Sequence, residues 1–463
     1  MMKRLNFLWL LNMALGVSIC CSACSRFLDV VTDRSITSPT TLDDLESFLW
    51  NATQINTSVS GLLEMGTDDY YIHGSVFASQ DVFSQNVYLW EKEIDFAVAT
   101  TNVNWTTPYH TVLLANTILD KLQTIQYTDD QKARILEGEA LFVRSFSFFH
   151  LAQIYAPPYH PGTENDRPGI ILKLSSDINE KAKRATVAAS YQQMIDDLNR
   201  AKDLLPETQP YKTRASRAAV EALLAKIYLV MGNYVLAEQA TTNALGYYDT
   251  LLDYNDVDKD AAVPFRGEIN QEIIFFAYTG SANLIHSARS KVDSILYDSY
   301  EDDDLRKYIL FTEEQNGEAT FKGWYSGQNN SGTFTGLHTA ELYLTLAECQ
   351  ARSNKIPEAL ASLETLLKNR YRDGVVDFLD DLNDDDILRF VLNERRKELL
   401  FRGARWSDLR RLNQEVDFQV VLERHVQVGG MERRTLLEPN SPRYVYPLPV
   451  TVIEHAGVEQ NIR

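Results

Sequence analysis

Ring-bearing side chains set beside amides and carboxylates in irregular stretches are the residues of this chain best suited to chemistry with a ligand. Asp68-Asp69-Tyr70-Tyr71, with Trp90 further along, forms one such group. Trp324-Tyr325, followed by Gln328, Asn329 and Asn330, forms another. Trp and Tyr offer flat faces onto which the C–H side of a sugar ring stacks, while carboxylates and amides in the same plane receive hydroxyls. The candidate ligand contacts are therefore Trp324, Tyr325, Tyr70, Tyr71, Asp68 and Trp90, in that order.

The charged clusters read as structural. Glu394 and Glu398 stand four apart and share a helix face. Gly403 permits a left-handed stop, after which Arg405 could return to either glutamate as a fork-to-carboxylate pair. A salt-bridged corner is the expectation there, in preference to an acid–base pair. Asp256, Asp258 and Asp260 alternate like the start of a calcium loop, but Ala261 and Gly267 occupy the positions that need Gly and Glu. Glu301–Asp304 and Asp380–Asp386 suit helix starts, where carboxylates meet the positive end of the macrodipole. Trp105, Tyr109 and Asn116 fall on one helix face, as core packing plus a side-chain-to-backbone hydrogen bond requires. The sequence contains no Gly-rich phosphate loop, His-Glu-x-x-His or Gly-x-Ser-x-Gly, and its eight histidines are scattered. No catalytic residue, metal ligand or cofactor is assigned.

The chain has 463 residues and a formal net charge of -19, with 44% hydrophobic and 11% aromatic residues. That balance belongs to a folded globular chain. The acidic excess argues against a nucleic-acid surface, which needs clustered Lys and Arg. Lys3 and Arg4 precede an apolar run from Leu5 to Cys21, the pattern of an export leader. Small residues then lead to Cys24, which fits a bacterial lipobox, so residues 1–23 are expected to leave and Cys24 to carry the lipid. Three of the four cysteines crowd this segment. The body of the chain must therefore be held by its core and not by disulfides.

The positioning elements are helical, and the expected fold class is mainly α: a tetratricopeptide-like scaffold of helix pairs with long irregular insertions and a few short strands. From Ala215 to Gly232, Leu223, Leu224, Ile227, Tyr228 and Met231 recur every three or four residues. Gly232-Asn233 breaks the run and Tyr234–Leu245 restarts it, as in a repeat of ~34 residues. Thr339–Leu367 repeats the arrangement, with Ala347 and Ala359 spaced as Ala225 and Ala237 are. Helix pairs are expected near 129–155, 189–247, 338–371 and 386–411, within one domain over 24–463. Their scatter along the chain suggests an interrupted array. Insertions near 51–100, 156–188, 246–338 and 413–463 separate them, with strands expected at Glu272–Tyr278 and Tyr444–Pro447.

Several motifs occur in order: Cys24-Ser-Arg-Phe-Leu-Asp29, Asn104-Trp105 through Asn116, Glu139-Ala140 with Arg144-Ser145-Phe146, and Tyr297–Arg306. Ala340–Leu344, Asn393–Glu398, Arg402–Arg410, Tyr446-Pro447-Leu-Pro449 and Gln460-Asn461 follow. Together they resemble the SusD/RagB family of outer-membrane lipoproteins from Bacteroidetes. The resemblance implies a tetratricopeptide-like scaffold whose loop-built face binds a nutrient, usually a glycan. It also implies lipid anchoring at the cell surface and a SusC-like TonB-dependent barrel transporter as partner. Arg402, where the family commonly has an acid, and Ala156-Pro157, where it often has Gly, depart from the pattern. Oligosaccharide capture is the leading expectation. A peptide-binding RagB-like role, a surface hydrolase and an assembly adaptor are the alternatives.

Overall fold

The structure, a computed structural model, describes residues 39–96, 99–328 and 332–463. Cys24 and the leader lie outside the described residues, as do Asn329 and Asn330. Within Thr41–Arg463 the helices of eight or more residues, numbered in chain order, begin with α1 (Leu42–Leu49), α2 (Ala99–Leu122) and α3 (Asp130–Tyr155). Next come α4 (Val187–Leu204), α5 (Arg217–Val230), α6 (Tyr234–Tyr247) and α7 (Thr339–Arg352). The last are α8 (Ile356–Leu367), α9 (Ile387–Glu398) and α10 (Arg405–Leu412).

Local chemistry explains the helix hairpin at the centre. The Ala- and Leu-rich run of α5 costs little to wind, and the Ser216 hydroxyl caps its start by accepting from the Ala219 N–H at 3.2 Å. Gly232 ends it at φ +70, a left-handed conformation that glycine alone adopts freely. Asn233 then caps α6 by accepting from the Leu236 N–H at 3.2 Å. Ala222, Ala225, Ala237, Ala240 and Ala244 are all buried, and their small side chains let the helices approach closely.

Consecutive helices from α2 to α8 pack on one another, and α9 packs on α7. The array is thus continuous in space where sequence suggested interruption: α6 lies against α7 although the whole 248–338 insertion separates them in sequence. The 129–155 region is one 26-residue helix and not a pair; its partners are α2 and α4. Every residue of α3 from Gly138 to Tyr155 is buried, so its polar groups need partners inside the protein. Arg144 donates to both Asp197 oxygens at 2.8 and 2.7 Å and to the Asn116 amide oxygen at 2.9 Å. Asn116 in turn donates to the carbonyls of Lys173 and Ser175. One guanidinium therefore ties α2, α3 and α4 together.

Sheet is confined to two-stranded antiparallel pieces among the described residues. Tyr70–Ile72 pairs with Ser290–Val292, and Ile273–Phe275 with Leu337–His338. Leu422–Val428 and Met431–Leu437 form a hairpin in a region read as irregular. Its turn is Gly429-Gly430, both at positive φ, which is the signal that sequence reading passed over. The expected strand at Tyr444–Pro447 is absent: a 3-10 turn covers Pro442–Tyr444, and the prolines remove the ladder donors beyond it. Its backbone instead docks on α3, with the Tyr446 N–H donating to the Ile154 carbonyl at 2.9 Å.

The 246–338 insertion is clamped to the C-terminal helices by buried charge. Arg306 binds Asp304 at 2.8 Å, Glu394 at 2.6 Å and Glu398 at 3.3 Å. Arg370 binds Glu272 at 2.6 Å and Glu398 at 3.0 Å, and Arg402 binds Glu398 at 3.1 Å. Lys397 reaches Asp304 at 2.8 Å and Glu394 at 2.9 Å. Four cations thus meet four carboxylates, all buried. Burial pushes the Glu398 carboxyl up, but Arg370, Arg402 and Arg306 outweigh it and hold it well below the ordinary carboxylate range. Asp304, expected at a helix start, is a member of this network instead. Removing one member leaves uncompensated charge in a dry interior. Arg306→Met is therefore expected to cost about 3–5 kcal/mol in urea unfolding; a loss under 1 kcal/mol would contradict the clamp.

Candidate functional site

Trp324, Tyr325, Tyr70 and Trp90 are only 1–2% exposed. With their faces enclosed they cannot serve as stacking platforms, and the structure gives each an internal role. Trp324 stacks parallel to Phe401 at 6.5 Å and meets Phe321 edge-on at 5.0 Å. The Tyr325 hydroxyl donates to Glu272, and the Arg402 guanidinium lies 3.8 Å from the centre of its ring. Tyr70 donates to the Met65 carbonyl at 2.6 Å, and the Trp90 indole N–H to the Gly66 carbonyl at 2.8 Å. Arg424 stacks on both rings. These rings sit in non-helical segments, as read, but the segments are folded inward over the core.

Asp68 is spent on ion pairs. Arg405 grips both its oxygens at 2.7 Å, and Arg396 approaches at 3.2 Å. Arg405 therefore pairs with Asp68 and not with Glu394 or Glu398, which the buried network already neutralises. The turn at Gly403, φ +71, directs α10 towards the early loop and so decides that choice. Burial raises the Asp68 carboxyl, yet Arg396 and Arg405 hold it below its ordinary range. Tyr71 alone of the selected aromatics stays half-buried; its hydroxyl donates to Glu318 at 2.7 Å and its ring meets His73 edge-on.

An open concavity lies elsewhere. A cleft of about 840 Å³ is bounded by the short helix Ser294–Asp298, the Tyr371–Phe378 segment and one face of α9. Phe390, Asn393, Glu394 and Lys397 line it together because spacings of three, four and seven share a helix face. Phe378 bridges Tyr371 at 5.0 Å and Phe390 at 6.1 Å, making an aromatic wall. Asp303, Asp373 and Asn393 are exposed around it, and Ile295, 78% exposed, stands at the edge. Asp373 and Gly374 both have positive φ, a turn anchored where the Asp373 N–H donates to Asn255 at 3.1 Å. Glu394 is engaged by Arg306 and Lys397.

Aromatic faces rimmed by carboxylates and an amide suit a ligand with apolar ring faces and many hydroxyls, and the volume falls in the range of small-molecule sites. Sequence reading quoted Asn393 and Glu394 but missed Phe378 and Phe390. Both stand beside the acidic run Asp380–Asp386, with nothing local to separate them from core residues. The early loop does reach this cleft indirectly: Arg396 lines it and donates to Asp69 at 2.9 Å.

A helix-hairpin scaffold thus holds a ring-walled cleft. Residues 26–229 match a SusD-like family profile described as starch-binding and associating with the outer membrane. Residues 277–461 match the SusD family profile. The chain belongs to the SusD/RagB family, carbohydrate-binding proteins associated with the outer membrane. A SusD-like protein of Formosa agariphila is 22% identical over 413 residues, covering 73% of this chain and 80% of that one. A structure titled as a putative sugar binding protein from Bacteroides vulgatus superposes with a TM-score of 0.74 at 20% identity, covering 92% of this chain and 99% of that one. A laminarin-binding SusD-like protein superposes at 0.64 and 17% identity, with coverage of 92% and 99%. These likenesses show the fold, mainly α and tetratricopeptide-like as the sequence suggested.

Behind the Asp68–Asp69 loop, Glu64 is wholly buried. Burial, reinforced by the Asp69 charge, pushes its carboxyl up to about 8 against the Gly403 N–H and Lys226, which favour ionisation. The unfolded chain releases this proton near the ordinary 4.5. Between those values the folded state holds one proton more, so stability falls as pH rises, by about 1.4 kcal/mol per pH unit, and levels off above the folded value. Glu64→Gln keeps the shape without the titration. Urea unfolding at pH 5 and pH 8 is expected to show a smaller loss for the variant than for the parent; equal losses would contradict the buried neutral carboxyl.

Proposed function

We propose that this chain is a lipid-anchored, surface-exposed protein that captures an oligosaccharide in the α9 cleft and passes it to a SusC-like TonB-dependent barrel transporter. The observation that carries the reading is the cleft itself. Phe378 and Phe390 supply ring faces, and Asp303, Asp373 and Asn393 supply hydroxyl partners around them. Family membership supports carbohydrate as the ligand class, and the laminarin-binding relative of like fold supports trying β-glucans first. Capture without cleavage suits a site whose buried glutamate is already neutralised. Tyr71, the partly exposed member of the aromatics chosen from sequence, is a candidate for an outlying contact. The lipobox at Cys24 supports anchoring, and no described helix is long and apolar enough to cross a membrane.

Titration calorimetry against laminarin and starch oligosaccharides and a peptide panel tests the ligand. Phe390→Ala and Asn393→Ala are expected to weaken glycan binding at least tenfold, about 1.4 kcal/mol, while Trp324→Phe leaves it unchanged. Binding of peptides alone, or glycan affinity indifferent to both cleft variants, would overturn the reading. Fractionation of cells carrying Cys24→Ala is expected to move the protein out of the membrane fraction. Retention there would refute the anchor.

A further inference from the structure

A second cavity, of about 510 Å³, shares no lining residue with the cleft. It lies where the segment after α3 meets α10 and the end of the chain, and three arginines face it: Arg167, Arg184 and Arg410. Arg410 is 3% exposed. Its terminal nitrogens donate to the carbonyls of Ala152, Gln153 and Ala156 at the end of α3, and its Nε has no partner. Arg167 is exposed and donates to the Pro158 carbonyl at 2.9 Å. Arg184 is tied to the carbonyls of Gly169, Pro168 and Glu459 and to the Asn461 amide oxygen.

Among the described residues, none of the three forms a salt bridge with a carboxylate. That departs from buried Arg144, Arg306, Arg370 and Arg411, which each have one, although buried Arg424 likewise rests on carbonyls, those of Tyr70 and Thr67. It also departs from a chain with 64 acids and 45 bases. Arg410 and Arg167 are held on carbonyls two residues apart, Ala156 and Pro158, so two like charges sit close together. Burial and the Arg167 charge lower the Arg410 guanidinium to about 10, the mark of a cation lacking its counter-charge. Glu459 is the one acid among the lining residues and leaves a positive excess. Carbonyl dipoles offset part of that cost, and a carboxylate at the open Arg410 Nε would add a charge-assisted hydrogen bond.

The remaining walls narrow the ligand. Pro158, Pro442 and Tyr444 give flat apolar surface, and Asn440 and Ser441 give polar atoms beside it. An inorganic anion would fill little of the volume. We propose that this cavity binds a carboxylate-bearing sugar of one or two rings, a uronic acid or its dimer, with the carboxylate between Arg167 and Arg410 and the ring against Pro442 and Tyr444. The proposal stands apart from the cleft reading, and neither depends on the other.

Calorimetry on the full-length protein tests it, with digalacturonate and glucuronate as probes beside lactose, glucose, inorganic sulfate and a glutamate-rich peptide. The uronates are expected to bind at least tenfold more tightly than the neutral sugars. Arg167→Gln, which removes an exposed side chain, is expected to weaken uronate binding at least tenfold with unfolding unchanged, and Phe390→Ala to leave it alone. Absence of uronate binding, equal affinity for neutral sugars, tighter binding of sulfate or the peptide, or indifference to Arg167→Gln would each overturn the assignment.

Discussion

Buried charge balance is the constraint on which this architecture depends. Arg306, Arg370, Arg402 and Lys397 meet Asp304, Glu272, Glu394 and Glu398 in one buried group. Desolvating any one of these groups alone would cost several kcal/mol, and only the full set with short contacts recovers that cost. The group joins three stretches distant in sequence: the 246–338 insertion, the segment after α8, and α9 with its following turn. An insertion built only of short strands and short helices thereby acquires one position. The arrangement also accounts for Arg402, a departure from the family pattern: its guanidinium completes the neutralisation of Glu398 and packs on Tyr325.

The same logic recurs along the helix array. Arg144 with Asp197, Arg395 with Asp408 and Glu341, and Arg411 with Glu348 each bridge neighbouring elements at buried positions. Hydrophobic burial supplies the bulk of the driving force, but it is non-directional. The forked guanidinium pairs add geometry, setting which helix face meets which. The cleft profits from this rigidity, because Glu394 and Lys397 of α9 belong both to the buried network and to the cleft wall. Side chains held in that way present a preorganised surface, so less is lost in ordering them when a ligand docks.

Much of the scaffold was legible. The α5–α6 hairpin followed from its apolar period, Gly232 and Asn233, and α7–α8 from the same spacing. Family motifs such as Asn116 and Arg144 turned out to be partners in one hydrogen-bonded junction. The candidate site was not legible. Trp324, Tyr325, Tyr70 and Trp90 stand in irregular stretches of the kind that carry function, yet these stretches fold back over the core and bury their rings. Phe378 and Phe390, which wall the cleft, look in sequence like ordinary core residues. Burial of a ring depends on what packs above it, and local sequence holds no record of that.

Sequence alone determined the helical class, the boundaries of the α5–α6 and α7–α8 hairpins, and the family. These rest on local periodicity, capping chemistry and ordered motifs, all written within short windows of chain. Tertiary structure decided which arginine meets which carboxylate, which aromatic rings face water, and where the two cavities lie. Those outcomes hinge on contacts between residues hundreds of positions apart, such as Asp68 with Arg405. Coulomb and packing energies are set by distance in space, and only the folded chain defines that distance.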